Sequence, residues 1–292
     1  MDDLRRAIEL IQETARLNEA QLEHLTEDDQ QVIADARARL ERAVDRAGTK
    51  IAGIFPDTGP YRRELYPKHI AFLNAGRTAR ERCFMAGNRI GKTYLGLYEV
   101  SCHLLGFYQP WWQGRKFNEP IQAIVAGDTA ETVRDILQAE MLGRAMPDGK
   151  NRLRLKGDGL IPPGAIVQDA IEFRQGVRVA SEVGVRYRDS KTEFSTLSLR
   201  AYAQKRESFQ GVARHVIMLD EEMPEDIYDE CQIRLMTTRG LLIVTFTPLK
   251  GVSPVVQRFL TDAGQIARSA DPYSAVQEMV RYREMLMAGA MR

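Results

Sequence analysis

The sequence predicts an α/β protein in which helices flank a mostly parallel central sheet. Short apolar runs that are typical of buried strands alternate with longer segments of helical pattern. The predicted buried strands are residues 82–86, 121–126, 215–219 and 241–246. A β-hairpin is also expected, because residues 183–187 and 194–203 flank a polar stretch.

Composition narrows the class of protein. The 292 residues are 44% hydrophobic and 28% charged, which is typical of a soluble globular chain. Lys and Arg number 41 against 40 Asp and Glu, and this net charge of +1 excludes a histone-like binder of nucleic acid. The three cysteines are widely spaced, so we expect a reducing, intracellular setting without disulfides. No apolar run is long enough to span a bilayer, and the four histidines lack metal-binding spacing.

Residues 1–50 differ in charge composition from the rest of the chain. They carry twelve acidic and eight basic residues, which makes them net −4 and leaves +5 for the remainder. Apolar residues recur every three or four positions on both sides of Thr26, which predicts an N-terminal helical hairpin. Packing on the main domain and docking of a partner both suit such an arm. We expect the main domain over residues 51–265 and a linker with a C-terminal helix over 266–292.

The sharpest local signal is the segment Ala86-Gly87-Asn88-Arg89-Ile90-Gly91-Lys92-Thr93, between a predicted strand and a predicted helix. Phosphate binding needs inward backbone amides, a helix N-terminus and a cation. Gly91 lets the backbone approach phosphates, Lys92 reaches the β- and γ-phosphates, and Thr93 offers a hydroxyl to Mg²⁺. The usual first glycine is Ala86, with Gly87 one place late, so the loop alone leaves a chance match open.

Acidic side chains end the predicted strand 215–219, where four apolar residues run into Asp220, Glu221 and Glu222. In nucleotide-hydrolysing enzymes of the catalytic-glutamate (ASCE) class, the strand-terminal Asp holds Mg²⁺ and a neighbouring Glu polarises the attacking water. We therefore assign Asp220 to the metal and Glu221 to the water. A shift of the catalytic role to Glu222 stays open.

Two threonines end the next apolar run. Thr245 and Thr247 lie before Pro248 at the carboxyl end of a predicted strand, where ligands bind in open α/β sheets. Hydroxyl groups at this edge are placed to sense a γ-phosphate. A β-prone strand that simply ends at proline explains the same composition.

Taken in order, these motifs make the chain resemble the large terminase subunit of tailed bacteriophages. The matching motifs are Gly91-Lys92-Thr93, residues 205–211, Leu219-Asp220-Glu221-Glu222 and residues 245–251. Residues 66–69 and 111–115 also match. The resemblance covers roughly residues 60–260, and the ordered set is specific although each piece alone is weak. It implies a P-loop motor that uses ATP and Mg²⁺, cuts concatemeric viral DNA and drives it through the portal into a procapsid.

The resemblance also implies roles for individual residues. The residues expected at the nucleotide are Tyr66, His69, Gly87, Asn88, Arg89, Ile90, Gly91, Lys92 and Thr93, the first two near the adenine. Thr245 and Thr247 would belong to a motif that couples hydrolysis to movement. Asp220 and Thr93 would hold Mg²⁺, and Glu221 would activate water.

Relatives also use an arginine that meets the γ-phosphate in the transition state. Many carry it four residues before the lysine, where this chain has Asn88. We therefore nominate Arg206, and next Arg214, as a finger supplied by a neighbouring subunit. A salt-bridged arginine is the alternative for either residue.

Partners and location follow from the same resemblance. It implies double-stranded viral DNA, the portal protein and the small terminase subunit as partners, with a homo-oligomeric ring on the portal, a monomer in solution and no membrane. The implied location is the host cytoplasm.

Full-length relatives continue into a nuclease, for which the 44 residues after Pro248 are too few. We expect an ATPase without DNA cleavage.

A helicase-like DNA-dependent ATPase and a nucleotide-binding assembly scaffold with little turnover remain alternatives.

A packaging motor grips duplex DNA through its phosphates. Four alternating basic residues would share one side of an extended segment, where a charged strand edge is an equally good interpretation. They are Lys150, Arg152, Arg154 and Lys156. Trp111 and Trp112 are interpreted as core or interface residues.

Overall fold

A computed structural model describes residues 48–148, 152–174, 176–248 and 253–261. Contacts divide the chain into a unit of Met1–Gly53 and a unit of Ile54–Arg292. Only residues 48–53 of the first unit are described, so the predicted hairpin lies almost entirely outside the described residues. The predicted linker and C-terminal helix over 266–292 also lie outside them.

The second unit contains nine described strands. They are β1 Glu81–Met85, β2 Gln122–Gly127, β3 Ala145–Pro147, β4 Leu153–Leu155, β5 Ile166–Phe173, β6 Ala180–Arg186, β7 Phe194–Ala201, β8 Val216–Asp220 and β9 Leu241–Phe246. Seven of them form one sheet in the order β1-β9-β8-β2-β7-β6-β5, and β3 pairs with β4 separately.

The sheet is mixed, with a parallel part and an antiparallel edge. β1, β9, β8, β2 and β7 are parallel, whereas β6 runs antiparallel to both β7 and β5. The prediction of a mostly parallel sheet is confirmed, and the four predicted buried strands lie within one residue of those observed. The predicted hairpin is β6–β7. The sequence did not predict β5, because register shifts in its pairing with β6 break the alternation of apolar residues.

Helices cover the sheet. They are α1 Pro67–Ala75, α2 Lys92–Leu105, α3 Ala130–Thr132, α4 Ala139–Leu142, α5 Glu225–Leu235 and α6 Pro254–Thr261. A π-helical segment, Val133–Gln138, joins α3 to α4, and five short 3₁₀ turns complete the described elements. The described part of the chain contains no helix that is long and apolar enough to cross a membrane.

The central helix α2 is buried along almost its whole length, as expected of a helix packed on a parallel sheet. Gly96 allows this close packing, because a Cβ atom there would lie 2.5 Å from Cε of Met218 in β8. Every residue of β8 and β9 is buried, and Trp112 lies in the core as predicted. Since the five parallel strands share one direction, their carboxyl ends and the β1–α2 loop meet at one edge of the sheet.

Candidate functional site

The loop between β1 and α2 runs from Ala86 to Gly91 at this carboxyl edge. Gly91 has φ 84°, a left-handed conformation that glycine adopts without steric cost, and α2 begins at the next residue. Arg89 also has a positive φ of 65°, so the loop turns sharply before the helix. Unpaired backbone N–H groups at a helix N-terminus attract anions, so this loop has the form of a phosphate site.

Lys92 lies across the loop. Its Nζ donates hydrogen bonds to the carbonyl oxygen of Gly87 at 2.8 Å and to Oγ1 of Thr247 at 2.7 Å. The Thr247 hydroxyl donates in turn to Oδ1 of Asn88 at 2.8 Å. Burial lowers the pKa of Lys92, whereas the negative charges of Glu221 and Asp220 raise it. The end of β9 is thereby joined to both ends of the loop.

Asp220 lies at the centre of a hydroxyl cluster. Thr93 Oγ1 donates to its carboxylate at 2.8 and 3.0 Å, and Thr245 Oγ1 donates at 2.6 Å. The hydroxyl of Tyr202 donates to the backbone carbonyl of Asp220 at 2.9 Å, which fixes the strand end. Burial raises the pKa of the Asp220 carboxyl to about 6, although the two threonine hydrogen bonds lower it. A cation beside this carboxylate would favour its charged form.

The donors at this position suit Mg²⁺. The Asp220 carboxylate and the Thr93 hydroxyl are hard oxygen ligands, and Mg²⁺ usually takes one or two protein ligands together with waters and substrate phosphates. Among the described residues, no three His, Cys, Asp or Glu side chains are grouped to hold a metal. One carboxylate and one hydroxyl are therefore a donor set that fits a Mg²⁺ ion bound together with a phosphate.

The chain leaves β8 at Glu221, whose φ is 64°. Its backbone N–H donates to the Thr245 carbonyl at 2.7 Å, while its side chain is half-buried and its charge acts on Lys92. In Glu222, Oε2 is buried and accepts no hydrogen bond from the described residues. The charge of Glu221 thus acts on both Lys92 and Asp220, and the choice of catalytic carboxylate between Glu221 and Glu222 stays a prediction.

A family model described as "Terminase large subunit, T4likevirus-type, N-terminal" matches residues 83–289, which include the loop, the acidic strand end and the threonine pair. The chain belongs to the terminase large-subunit family. The terminase large subunit of Salmonella phage P22 is 32% identical over 213 residues, which are 67% of this chain and 41% of that protein. The chain thus spans about two fifths of that relative's length.

A solved structure of a large terminase is also similar. It comes from a thermophilic bacteriophage and was determined in complex with ADP. The match covers 62% of this chain and 38% of that chain, at 14% identity and a TM-score of 0.37. A likeness of this size carries no argument about function. The resemblance that the sequence motifs indicated is confirmed by the family match and by the phage P22 relative.

The terminase structure brings together most of the predicted site residues. Hydrogen bonds join Gly87, Asn88, Lys92 and Thr247 in one group. Hydrogen bonds also join Thr93, Asp220 and Thr245 in a second group, which adjoins the first because Lys92 and Thr93 are consecutive. The remaining predicted loop residues, Arg89, Ile90 and Gly91, lie between these groups along the chain.

Tyr66 and His69 lie behind the loop. Each is 1% exposed, and both rings contact that of Phe55. His69 Nε2 donates to the carbonyl oxygen of Ile90 at 3.0 Å, and burial lowers its pKa to about 4, so the ring is neutral at pH 7. His69 therefore supports the loop backbone. The predicted contact with adenine stays a prediction, and it would require these rings to become exposed.

Arg206 forms an ion pair within its own chain. Its guanidinium lies 2.9 Å from the carboxylate of Glu230 in α5, which also lies 2.9 Å from Arg234. The side chain of Glu230 is 2% exposed and that of Arg206 is 46% exposed. The salt-bridged alternative is therefore observed, and the finger role of Arg206 stays a prediction. Arg214 is 8% exposed, which leaves it little reach toward another subunit.

Sequence reasoning missed two supporting contacts. Tyr202, which holds the backbone of Asp220, gives no signal beyond its place at the end of a predicted strand. Arg82 of β1 donates to both carboxylate oxygens of Glu99 in α2, at 2.7 and 3.1 Å, and both side chains are buried. A signal for this pair was present, because a charged residue inside an apolar strand requires a buried partner.

Proposed function

We propose that this chain is the ATP-hydrolysing motor part of a viral packaging terminase, which translocates double-stranded DNA into a procapsid. The observation that carries the proposal is the cluster in which Lys92 contacts Thr247 while the adjacent Thr93 contacts Asp220, in a chain of the terminase family. A cation, a hydroxyl–carboxylate pair and a neighbouring glutamate at one sheet edge are the parts that phosphoryl transfer from ATP requires.

The loop binds the nucleotide phosphates. Backbone N–H groups of residues 87–91 surround the β- and γ-phosphates, and Nζ of Lys92 exchanges its present oxygen partners for phosphate oxygens. Thr93 and Asp220 would hold Mg²⁺, which when bound neutralises charge on the phosphate oxygens. The present Thr93–Asp220 hydrogen bond keeps these two ligands together.

Glu221 acts on the attacking water in this proposal. Its carboxylate orients the water and takes up its proton, as in other catalytic-glutamate enzymes. Thr247, which contacts Lys92, senses the phosphate at that lysine and passes the change to β9. Arg206 of a neighbouring subunit would supply positive charge in the transition state, with its half-exposed guanidinium released from Glu230.

The proposed partners follow from the family. They are duplex viral DNA, the portal protein, the small terminase subunit and further copies of this chain in a ring, in the host cytoplasm. Membership of the terminase large-subunit family supports them. Nuclease activity is not part of the proposal for this chain.

The test is Mg²⁺-dependent phosphate release from ATP, measured for the whole chain and for two lysine variants. Lys92→Ala removes the buried lysine at the end of the loop, whereas Lys191→Ala removes an exposed lysine between β6 and β7 and serves as the matched control. We expect turnover by the wild type and the control and a loss of about 10²–10³-fold in Lys92→Ala. Equal turnover by Lys92→Ala would contradict the proposal.

Added nucleic acid separates the proposed motor from its alternatives. A packaging motor should respond to duplex DNA together with portal-bearing procapsids. A helicase-like enzyme would respond to single strands, and a scaffold would bind ATP with little turnover under every condition. Either of the latter results would replace the proposed function.

A further inference from the structure

A cleft of about 590 Å³ opens beside the π-helical segment, away from the loop of Lys92. Its lining comprises Arg134, Asp135, Gln138, Arg144, Ala145, Gly176, Val177 and Arg178. The three arginines come from three places in the chain: the π-helical segment, the connection between α4 and β3, and the turn between β5 and β6. Asp135 is the one acid of the lining, which contains no aromatic side chain.

Positive charge dominates this cleft. Arg134 and Asp135 neutralise each other through two hydrogen bonds of 2.8 Å. Arg144 and Arg178 are exposed, and within the described ranges neither side chain forms an ion pair. These two guanidinium groups therefore leave the cleft with a net positive charge.

The backbone that carries Arg178 is fixed by a buried side chain. Gln138 is fully buried, and its Oε1 accepts a 2.7 Å hydrogen bond from the N–H of Ala180, where β6 begins. Its Nε2 donates to the carbonyl of Arg178 at 3.3 Å. Arg178 itself has φ 51°, in the left-handed region. The turn is thus tied to the π-helical segment, and both sides of the cleft keep a defined spacing.

The cleft is separate from the nucleotide site but shares its edge of the sheet. β6 runs antiparallel to β7, so its first residue, Ala180, lies beside the carboxyl end of β7. Three strand intervals separate β6 from β8, which carries Asp220, and five separate β6 from β1, so the distances are roughly 14 Å and roughly 24 Å. Neither Arg144 nor Arg178 is a hydrogen-bond partner of Lys92, Thr93 or Asp220 among the described residues.

We propose that this cleft grips the phosphate backbone of duplex DNA without reading its sequence, an inference that rests on the proposed motor function. Guanidinium groups match phosphate oxygens in geometry and charge. A lining without aromatic rings offers no platform for unstacked bases, which favours a duplex over a single strand. Contacts to phosphates alone suit a motor that must move any sequence.

The cleft is a better candidate than the alternating basic residues of the β4 region. Lys150 lies outside the described residues. Arg154 pairs with Asp148 at 3.5 Å, and Lys156 pairs with Asp158 at 2.7 Å. These carboxylates reduce the charge that β4 presents to a polyanion. In the lining of the cleft, by comparison, three arginines face a single acid, Asp135.

The experiment measures binding of a fluorescein-labelled 30-base-pair duplex to the whole chain by anisotropy, without nucleotide, at several salt concentrations. The test variant carries Arg144→Gln with Arg178→Gln, which removes two charges and keeps polar side chains. The matched control carries Arg77→Gln with Arg80→Gln, two exposed arginines before β1 at the opposite edge of the sheet. Circular dichroism melting confirms that both variants fold.

We expect the cleft variant to bind the duplex about tenfold or more weakly, and the slope of log affinity against log salt to fall by about 2. The control should bind like the wild type. Unchanged binding by the cleft variant, or an equal loss in the control, overturns the proposal. The proposal is also overturned if the cleft variant loses affinity only for a single-stranded probe or only for labelled polyglutamate. Because this binding assay contains no nucleotide, its result does not depend on whether Lys92→Ala abolishes ATP turnover.

Discussion

Lys92 donates a 2.7 Å hydrogen bond to the hydroxyl of Thr247, 155 residues further along the chain. The same hydroxyl donates to Oδ1 of Asn88 at 2.8 Å, so it connects the lysine at the start of α2 with the first half of the loop. A ligand that draws Lys92 away must also change the partners of Thr247. The contact therefore links the state of the loop to the end of β9.

This link predicts the effect of Thr247→Val, which keeps the side-chain shape but removes the hydroxyl. Lys92 and Asn88 each lose one hydrogen bond, and we expect ATP turnover to fall about tenfold, corresponding to one or two hydrogen bonds. Thr247→Ser keeps the hydroxyl and should retain most of the activity. Steady-state phosphate release checks both. Wild-type turnover in the valine variant would show that the contact has no role in catalysis.

The buried ion pair between Arg82 and Glu99 predicts a stability effect. Glu99→Gln leaves the Arg82 guanidinium buried without its carboxylate, so we expect the free energy of unfolding to fall by about 3–5 kcal/mol. Urea denaturation measures this change. Glu64→Gln, at a side chain that is 80% exposed, is the control and should stay within about 0.5 kcal/mol. A loss below about 1 kcal/mol for Glu99→Gln would contradict this interpretation.

His69 predicts a dependence of stability on pH. Burial lowers its pKa from 6.5 to about 4, so between these values the unfolded chain binds more protons than the folded one. The folded state therefore loses up to about 3 kcal/mol through this residue as pH falls from 6.5 to 4. His69→Gln keeps an N–H donor for Ile90 but does not titrate.

Unfolding free energies measured at pH 7, 5.5 and 4.5 compare the wild type with this glutamine variant. The difference between them isolates His69, because His103 and His215, whose pKa values burial also lowers, are present in both proteins. We expect the wild type to lose more stability than the variant on acidification. Parallel pH profiles would show that His69 is not buried in a neutral form.

The finger role of Arg206 predicts complementation between subunits. Arg206→Ala alone should lower the turnover of assembled motors on portals, as should Lys92→Ala alone. Mixed in equal amounts, the Lys92→Ala subunits still offer Arg206 to their neighbours, so part of the turnover should return. Failure of the mixture to exceed its components would assign Arg206 to its observed pair with Glu230.

Much of this fold was predictable because its parallel strands are buried on both faces. Such strands are continuous apolar runs, and β8 and β9 show this pattern without interruption. β5 escaped prediction because its residues are partly exposed and its bulged pairing hides the period. The π-helical segment beside the proposed DNA cleft also gives no local signal, since its geometry depends on packing rather than on composition.

The candidate site was predictable where chemistry depends on neighbouring residues in sequence. Two pairs of consecutive residues, Lys92 with Thr93 and Asp220 with Glu221, are short motifs that indicate a nucleotide site from the sequence alone. The contacts of Tyr202 with Asp220 and of Gln138 with Arg178 arise only when distant segments meet. No spacing along the chain indicates them, and only the folded structure reveals them.

Glu221→Gln separates ATP hydrolysis from ATP binding, because it removes the proposed catalytic carboxylate and leaves the loop of Lys92 intact. Fluorescent ATP binding and single-turnover hydrolysis are measured together, with Glu222→Gln as the matched variant. We predict unchanged ATP binding and a loss of hydrolysis of about 10²–10³-fold in Glu221→Gln, with most activity retained in Glu222→Gln. Hydrolysis at the wild-type rate by Glu221→Gln would rule out Glu221 as the residue that activates the attacking water.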